Sequence, residues 1–289
     1  MGTVYLNGEY LPVELAKVSV MDRGFLFGDG VYEVIPVFGG KLFRGDEHLR
    51  RLDYSLQETG IPQPLTDAQW HAVFERLITL TRGEGTGSGD QMLYLQITRG
   101  VAAQREHKFP QVCVPTVFVM SRELAAPPAE IPAPIACITV PDIRWQRCDV
   151  KSTSLLGSVL MTQQAIAAGA GEAILTRDGI VFEGAASNVF AVVDGVLHTA
   201  PKDHHILAGI TRDLIVELAQ QHGLALREEA VTIEQLRRAS EVWISSSTRD
   251  MTPVATLDGE RVGNGSAGPI FNQLWQWYRA LRATLKSAE

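Results

Sequence analysis

Lys151 and Glu183 are the residues best equipped for chemistry. They stand in CDVKSTSLLG and VFEGAASNVF, on either side of an apolar stretch with helical character. A lysine amine can form a Schiff base, and a carboxylate can hold a protonated pyridine nitrogen; pyridoxal phosphate (PLP) chemistry requires both. Taken alone, Lys151 reads as a solvated side chain, the usual fate of lysine. Glu183 follows Val181 and Phe182 in an apolar strand, where a carboxylate that does not face water needs a cationic or hydrogen-bonding partner. Gly184, Ala185, Ala186 and Ser187 after it are small enough to leave room for a flat ring.

Other segments supply groups suited to anions. GITRD joins a loop to a helix, and backbone N–H groups at a helix start attract phosphate. Gly209 permits close approach, while Ile210 and Thr211 offer donors. The hydroxyls of SSST, 245–248, end a strand and can serve the same anion. Arg51 lies at the polar edge of a helix and offers a planar fork to phosphate or carboxylate. Arg105 and His107 stand two apart between strands, so in an extended loop both point the same way and can receive a carboxylate. Plain capping, a polar turn and solvated surface charge are the commoner fates of such groups taken singly.

The elements that must carry these groups are legible from pattern. Thr3–Leu6 and the residues around Tyr10 predict a hairpin turning at Asn7-Gly8. VYEVIPVF predicts a strand. Asp46 is expected to cap a helix with Leu49, Leu52 and Leu56 on one face and Gly60 as its stop; Thr66 or Asp67 opens the next. GEGTGSGD is a turn, and QMLYLQITRG and VCVPTVFVM are buried strands. ELAAPPAEIPAP, 123–134, cannot continue a strand or an ordinary helix and reads as a linker. Beyond it come the strand IACITV, a helix with an apolar stripe at Leu155, Leu156, Val159 and Leu160, and a meander turning at Asp178-Gly179 and Asp194-Gly195. A helix follows GITRD and stops at Gly223. Thr232 and Gln235 form a capping box, EVWISSS is a strand, and Phe271, Leu274, Tyr278 and Leu281 mark a closing helix. These patterns describe two α+β domains, 1–122 and 135–289, rather than regular βαβ alternation.

Composition narrows the function further. The chain has 289 residues, 45% hydrophobic and 20% charged, an ordinary balance for two folded domains. A formal net charge of -7 argues against nonspecific nucleic-acid binding. The sequence holds no apolar run long enough for a membrane span and no signal-peptide blocks near the start, so the expected location is cytoplasmic. Cys113, Cys137 and Cys148 are scattered, which fits reduced thiols and no metal site.

DRGFLFGDGVYE, EHLRRL, the TRG strand end, DIRWQRCDVKSTSLLG, FEGAASNVF, ILAGITRD and SSSTRDMTP appear in an order and spacing that resemble fold-type IV PLP enzymes over nearly the whole chain. That group holds the D-amino-acid and branched-chain aminotransferases, and the first are the more similar. The resemblance implies a two-domain fold with a smaller N-terminal domain and a larger PLP-binding domain. It implies that Lys151 carries PLP through an imine and shuttles the proton, and that Glu183 holds the ring nitrogen. Arg51, Ile210, Thr211 and Ser247 would hold the phosphate, and Leu207 would lie against the ring. Tyr32, Arg105 and His107 would form a carboxylate trap whose Arg and His reach across a homodimer interface. Arg144 and Ser187 match positions near the substrate. Ala185 and Ala186 depart from the serines common in relatives, and Ser247 from threonine. The implied reaction transfers an amino group between a D-amino acid (the D-alanine and D-glutamate class) and a 2-oxo acid such as pyruvate or 2-oxoglutarate. Branched-chain L-aminotransferase, (R)-amine transaminase and aminodeoxychorismate lyase are the same-fold alternatives.

Overall fold

Asn7 and Gly8 both take left-handed backbone, with φ of 50° and 100°. That lets the chain reverse tightly between β1 (Thr3–Leu6) and β2 (Glu9–Pro12), the predicted hairpin. The structure, a computed structural model, describes residues 2–84, 89–124 and 130–286. Within the predicted glycine-rich turn, residues 85–88 lie outside the described residues; so do 125–129 of the predicted linker. The chain forms two compact units. The first comprises Met1–Pro127 and Val150–Leu155, the second Pro128–Asp149 and Leu156–Glu289.

In the first unit the hairpin is followed by α1 (Arg23–Phe27), β3 (Gly30–Phe38), β4 (Lys41–Leu42), α2 (Gly45–Thr59), α3 (Asp67–Glu84), β5 (Gln91–Thr98) and β6 (Thr116–Glu123). The strands form one antiparallel sheet in the order β2-β1-β6-β5-β3-β4. Val31, Ile35 and Val37 alternate onto one face and pack with Leu49, Leu52 and Leu56 of α2 and Trp70, Phe74 and Leu77 of α3. The helix start at Asp46 needs correction: α2 begins at Gly45 behind Arg44, whose φ is 56°, and Asp46 sits in the first turn, where its charge favours the helix N-terminus. Gly60, at φ 62°, stops α2 as expected. Val150–Leu155 adds to this sheet: Val31 bridges Ser152, and Tyr32 N–H donates to the Lys151 carbonyl at 3.0 Å.

The second unit holds β7 (Ile135–Pro141), α4 (Leu156–Ala167), β8 (Glu172–Arg177), β9 (Ile180–Gly184), β10 (Asn188–Val193), β11 (Val196–Thr199), α5 (Ile210–Gln221), β12 (Leu226–Arg227), α6 (Ile233–Arg237), β13 (Glu241–Ser246), β14 (Asp250–Leu257), β15 (Glu260–Arg261) and α7 (Pro269–Lys286). Its sheet runs β12-β11-β10-β13-β14-β7-β8-β9, and β9 returns to pair with β10 at Glu183 and Asn188. Six strands therefore close on themselves around an apolar interior that includes Val181, Val189, Ala191, Val242, Ile244 and Val254. The predicted capping box at Thr232 and Gln235 is present. The helix expected from the apolar stripe forms as α4, with that stripe outside the core. Met161 and Ala165 are its buried residues, whereas Leu156 is 71% exposed and Leu155, Val159 and Leu160 are exposed too. No described helix is long and apolar enough to cross a membrane.

Candidate active site

A bulge decides where Glu183 points. On β8, Ile174 and Thr176 are two apart and share a face, but their partners on β9, Gly184 and Val181, are three apart. The extra residue breaks the alternation, so Glu183 leaves the face of Val181 and joins Asn188, its cross-strand partner, on the outer face of the closed sheet. There it is 4% exposed. Oε1 accepts from Arg144 Nη1 at 2.5 Å, and Oε2 accepts from Asn188 Nδ2 and Leu207 N–H, each at 3.1 Å. Burial pushes this carboxyl up to about 7, against the opposing pull of Arg144. Arg144 compensates only in part because Nε and Nη2 go to Asp142, at 3.0 and 2.9 Å.

Asn188 links this carboxylate to a helix start. Its Nδ2 also donates to the Leu207 carbonyl at 3.0 Å, and its Oδ1 stands where a Cβ on Gly209 would come within 2.0 Å. Only glycine fits there. Gly209 is the N-cap of α5, and no side chain caps this helix. Ile210 and Thr211 are buried in its first turn. The loop before it is held by Cys148 N–H on the His204 carbonyl at 2.9 Å and by a stack of His205 on Phe182 at 4.6 Å. A buried acceptor and an uncapped helix start, joined through one asparagine, fit a flat cationic ring bearing an anionic group. Ser247 sits in the turn between β13 and β14. Ser187 turns to Glu172, donating to Oε2 at 3.2 Å.

In the first unit Lys151 Nζ lies over the Tyr32 ring, 4.3 Å from its centroid. The lysine's backbone is fixed from both sides, by Ser55 Oγ on its N–H and by Tyr32 N–H on its carbonyl. Arg51 is brought to a carboxylate: Nε and Nη2 fork onto the Glu33 oxygens at 2.7 and 2.8 Å, and His48 Nδ1 meets the same group at 2.8 Å. The loop carrying Arg105 and His107 is bent rather than extended. Both side chains nevertheless lie against one ring, Phe27, with the Arg105 guanidinium 4.9 Å and the His107 ring 5.5 Å from its centroid.

The residue pattern left several positions unassigned: Asn188, Asp142, Glu33, His48 and Ser55. Asn188 alone had a local signal, a strand-averse amide leading the apolar run VFAVV. Comparison with known proteins gives the family. Residues 30–257 match the family described as amino-transferase class IV. The chain is 40% identical over 279 residues to a D-alanine aminotransferase of Staphylococcus haemolyticus, covering 96% of this chain and 97% of that one. It is 40% identical over 267 residues to a D-alanine aminotransferase of Bacillus licheniformis, covering 92% of each. Among solved structures, the branched-chain amino acid aminotransferase from Escherichia coli superposes with a TM-score of 0.86 at 27% identity, covering 100% of this chain and 96% of that one.

Proposed function

This chain belongs to the amino-transferase class IV family, and on that premise we propose that it is a PLP-dependent transaminase moving an amino group from a D-amino acid to a 2-oxo acid. Identity of 40% to D-alanine aminotransferases over nearly the full length supports the D-amino-acid class over the branched-chain enzymes, where identity to the Escherichia coli protein is 27%. The observation that carries the chemistry is the buried, partly compensated carboxylate of Glu183 beside the uncapped start of α5.

When bound, PLP supplies an aldehyde carbon that takes up amino groups and a ring that accepts electrons. In this reading Glu183 holds the ring nitrogen in its protonated state. Arg144 and Asn188 keep that carboxylate in place. Backbone N–H groups of Ile210 and Thr211, with Ser247 and Arg51, would receive the phosphate, and Leu207 would serve the ring. Lys151 Nζ would hold the cofactor covalently, and as a free amine it would take the α-hydrogen of the amino acid and deliver that proton to the cofactor carbon that keeps the amino group. Tyr32, Arg105 and His107 receive the substrate carboxylate, and that anchoring decides which enantiomer turns its hydrogen toward Nζ. Arg144 and Ser187 would bear on the substrate only indirectly, since Arg144 is engaged by Glu183 and Asp142 and Ser187 by Glu172.

The exposed apolar residues of α4, Leu156, Val159 and Leu160, support a homodimer, since a monomer leaves them in water. Light scattering of the purified enzyme checks it. The net charge of -7 supports a protein with no nucleic-acid partner, and the lack of a membrane-spanning helix among the described residues fits a cytoplasmic enzyme.

The decisive experiment follows cofactor absorbance after separate addition of D-alanine and L-leucine. Conversion by D-alanine alone is expected; conversion by L-leucine alone overturns the D-amino-acid reading in favour of the branched-chain one. Lys151→Ala is expected to lower turnover by at least about 10³-fold and to abolish borohydride fixation of the cofactor. Fixation that survives the substitution removes Lys151 from the role.

A further inference from the structure

Arg105 and His107 share a neighbour, Phe27, and a device built from α1 holds their loop. Arg23 is buried, and its guanidinium wraps the loop from beneath. Nη1 donates to the Glu106 and Lys108 carbonyls at 2.6 and 3.3 Å, and Nη2 to the His107 carbonyl at 3.3 Å. Three consecutive carbonyls cannot converge on one cation in an extended chain, so Arg23 holds the segment bent, together with the Glu106 N–H bond to the Gln104 carbonyl at 3.1 Å. Arg23 is itself fixed: its Nε donates to Asp29 Oδ2 at 2.7 Å, and Arg99 Nε meets the same oxygen at 2.8 Å. Arg99 in turn holds the Thr59 and Gly60 carbonyls at the end of α2 and covers the Phe109 ring at 3.6 Å.

Phe27 sets the side chains as Arg23 sets the backbone. Its ring has the Arg23 guanidinium at 4.8 Å, the Arg105 guanidinium at 4.9 Å and the His107 ring at 5.5 Å. Long exposed side chains such as Arg105 otherwise sample many rotamers, and fixing them before a ligand arrives removes that cost from binding. One carboxylate, Asp29, is shared by two buried guanidinium groups, which fixes both beneath the loop.

We propose that Phe27 and Arg23 are positioning residues that pre-organise Arg105 and His107 to take a substrate carboxylate, Phe27 by holding both side chains and Arg23 by holding the loop bent. The proposal rests on the reading of that pair as the carboxylate receptor. The device lies within one chain, so it acts equally whether the pair serves its own protomer or a second copy.

The test uses holoenzyme, D-alanine as substrate and propionate as a competitive carboxylate probe. Phe27→Leu is expected to raise the D-alanine KM and the propionate Ki together by about tenfold, with kcat within about twofold and PLP affinity unchanged. Phe27→Tyr, which keeps the ring, should restore both constants. Arg23→Lys keeps the charge but loses the fork, and is expected to move the same two constants; it carries the test if Phe27→Leu folds poorly. Unmoved constants in these variants overturn the proposal, as does a parallel loss of kcat and PLP affinity, which marks a merely structural role. Arg105→Ala separates the two levels of the argument. If it leaves the propionate Ki unchanged, the receptor reading falls and takes the proposal with it. If it raises that Ki while Phe27→Leu and Arg23→Lys do not, only the positioning claim fails.

Discussion

Glu33 in the first unit and Glu183 in the second are both buried carboxylates with arginine partners, yet their protonation is pushed in opposite directions. Burial raises both, but at Glu33 it is overcome by the Arg51 charge and its two-pronged fork and by the His48 bond, which hold the group far below the usual carboxylate range. At Glu183 burial wins. The difference lies in how the arginine is shared. Arg51 gives Glu33 both Nε and Nη2, whereas Arg144 gives its fork to Asp142 and a single nitrogen to Glu183. A fully compensated carboxylate holds structure together; a partly compensated one is ready to receive another cation.

That contrast breaks first at Glu33. In cofactor-free protein, Glu33→Gln removes the carboxylate charge forked by Arg51, 8% exposed, and is expected to cost about 3–5 kcal/mol of stability in urea unfolding. A loss below about 1 kcal/mol means the pair is not structural. Glu183→Gln should do the reverse. Turnover falls by about 10²–10³-fold. At about pH 4.5, where the folded Glu183 is protonated, stability falls less, by about 1–3 kcal/mol, because the amide nitrogen cannot accept a hydrogen bond that the carboxyl accepted.

The contrast sharpens with pH. Glu183 titrates near about 7 when folded against 4.5 for the free group. The native state thus holds a proton that the unfolded chain has already released. The stability contributed is present below about pH 4.5 and is lost as pH rises through about 7. In cofactor-free protein, wild type should lose ~3 kcal/mol relative to Glu183→Gln across that window, by chemical denaturation at each pH. PLP should suppress the difference, since a cation beside Glu183 favours its ionised form. The smallest effect is expected of Asp142→Asn. It releases the Arg144 fork toward Glu183 and removes a nearby negative charge, so the midpoint of that pH step falls by about one unit. An unmoved midpoint shows that Asp142 does not govern how Arg144 is shared.

Legibility in the sequence followed the range of the forces involved. The Asn7-Gly8 hairpin, the Leu49/Leu52/Leu56 face and the Thr232/Gln235 box rest on contacts a few residues apart, and each formed. Asp46 misled because the helix starts after a left-handed Arg44, a conformation that composition does not announce. The α4 stripe marked a helix that formed, but amphipathic periodicity tells which residues share a face and not what that face meets. The Arg105/His107 spacing pointed to a shared side for a reason the bent loop does not supply; Phe27, distant in sequence, is their shared neighbour instead.

By itself the sequence determined the residue chemistry. It supplies an amine at 151, a carboxylate at 183, a glycine before a helix at 209, and the order of motifs that marks the amino-transferase class IV family. Only the tertiary structure decided how those groups are poised. The β9 bulge turns Glu183 outward, Asp142 draws the Arg144 fork away, Asn188 ties the carboxylate to the start of α5, and Val150–Leu155 joins the first unit's sheet beside Tyr32. Side-chain identity is local to the chain, but charge compensation depends on distances between residues far apart in sequence, and these exist only after folding.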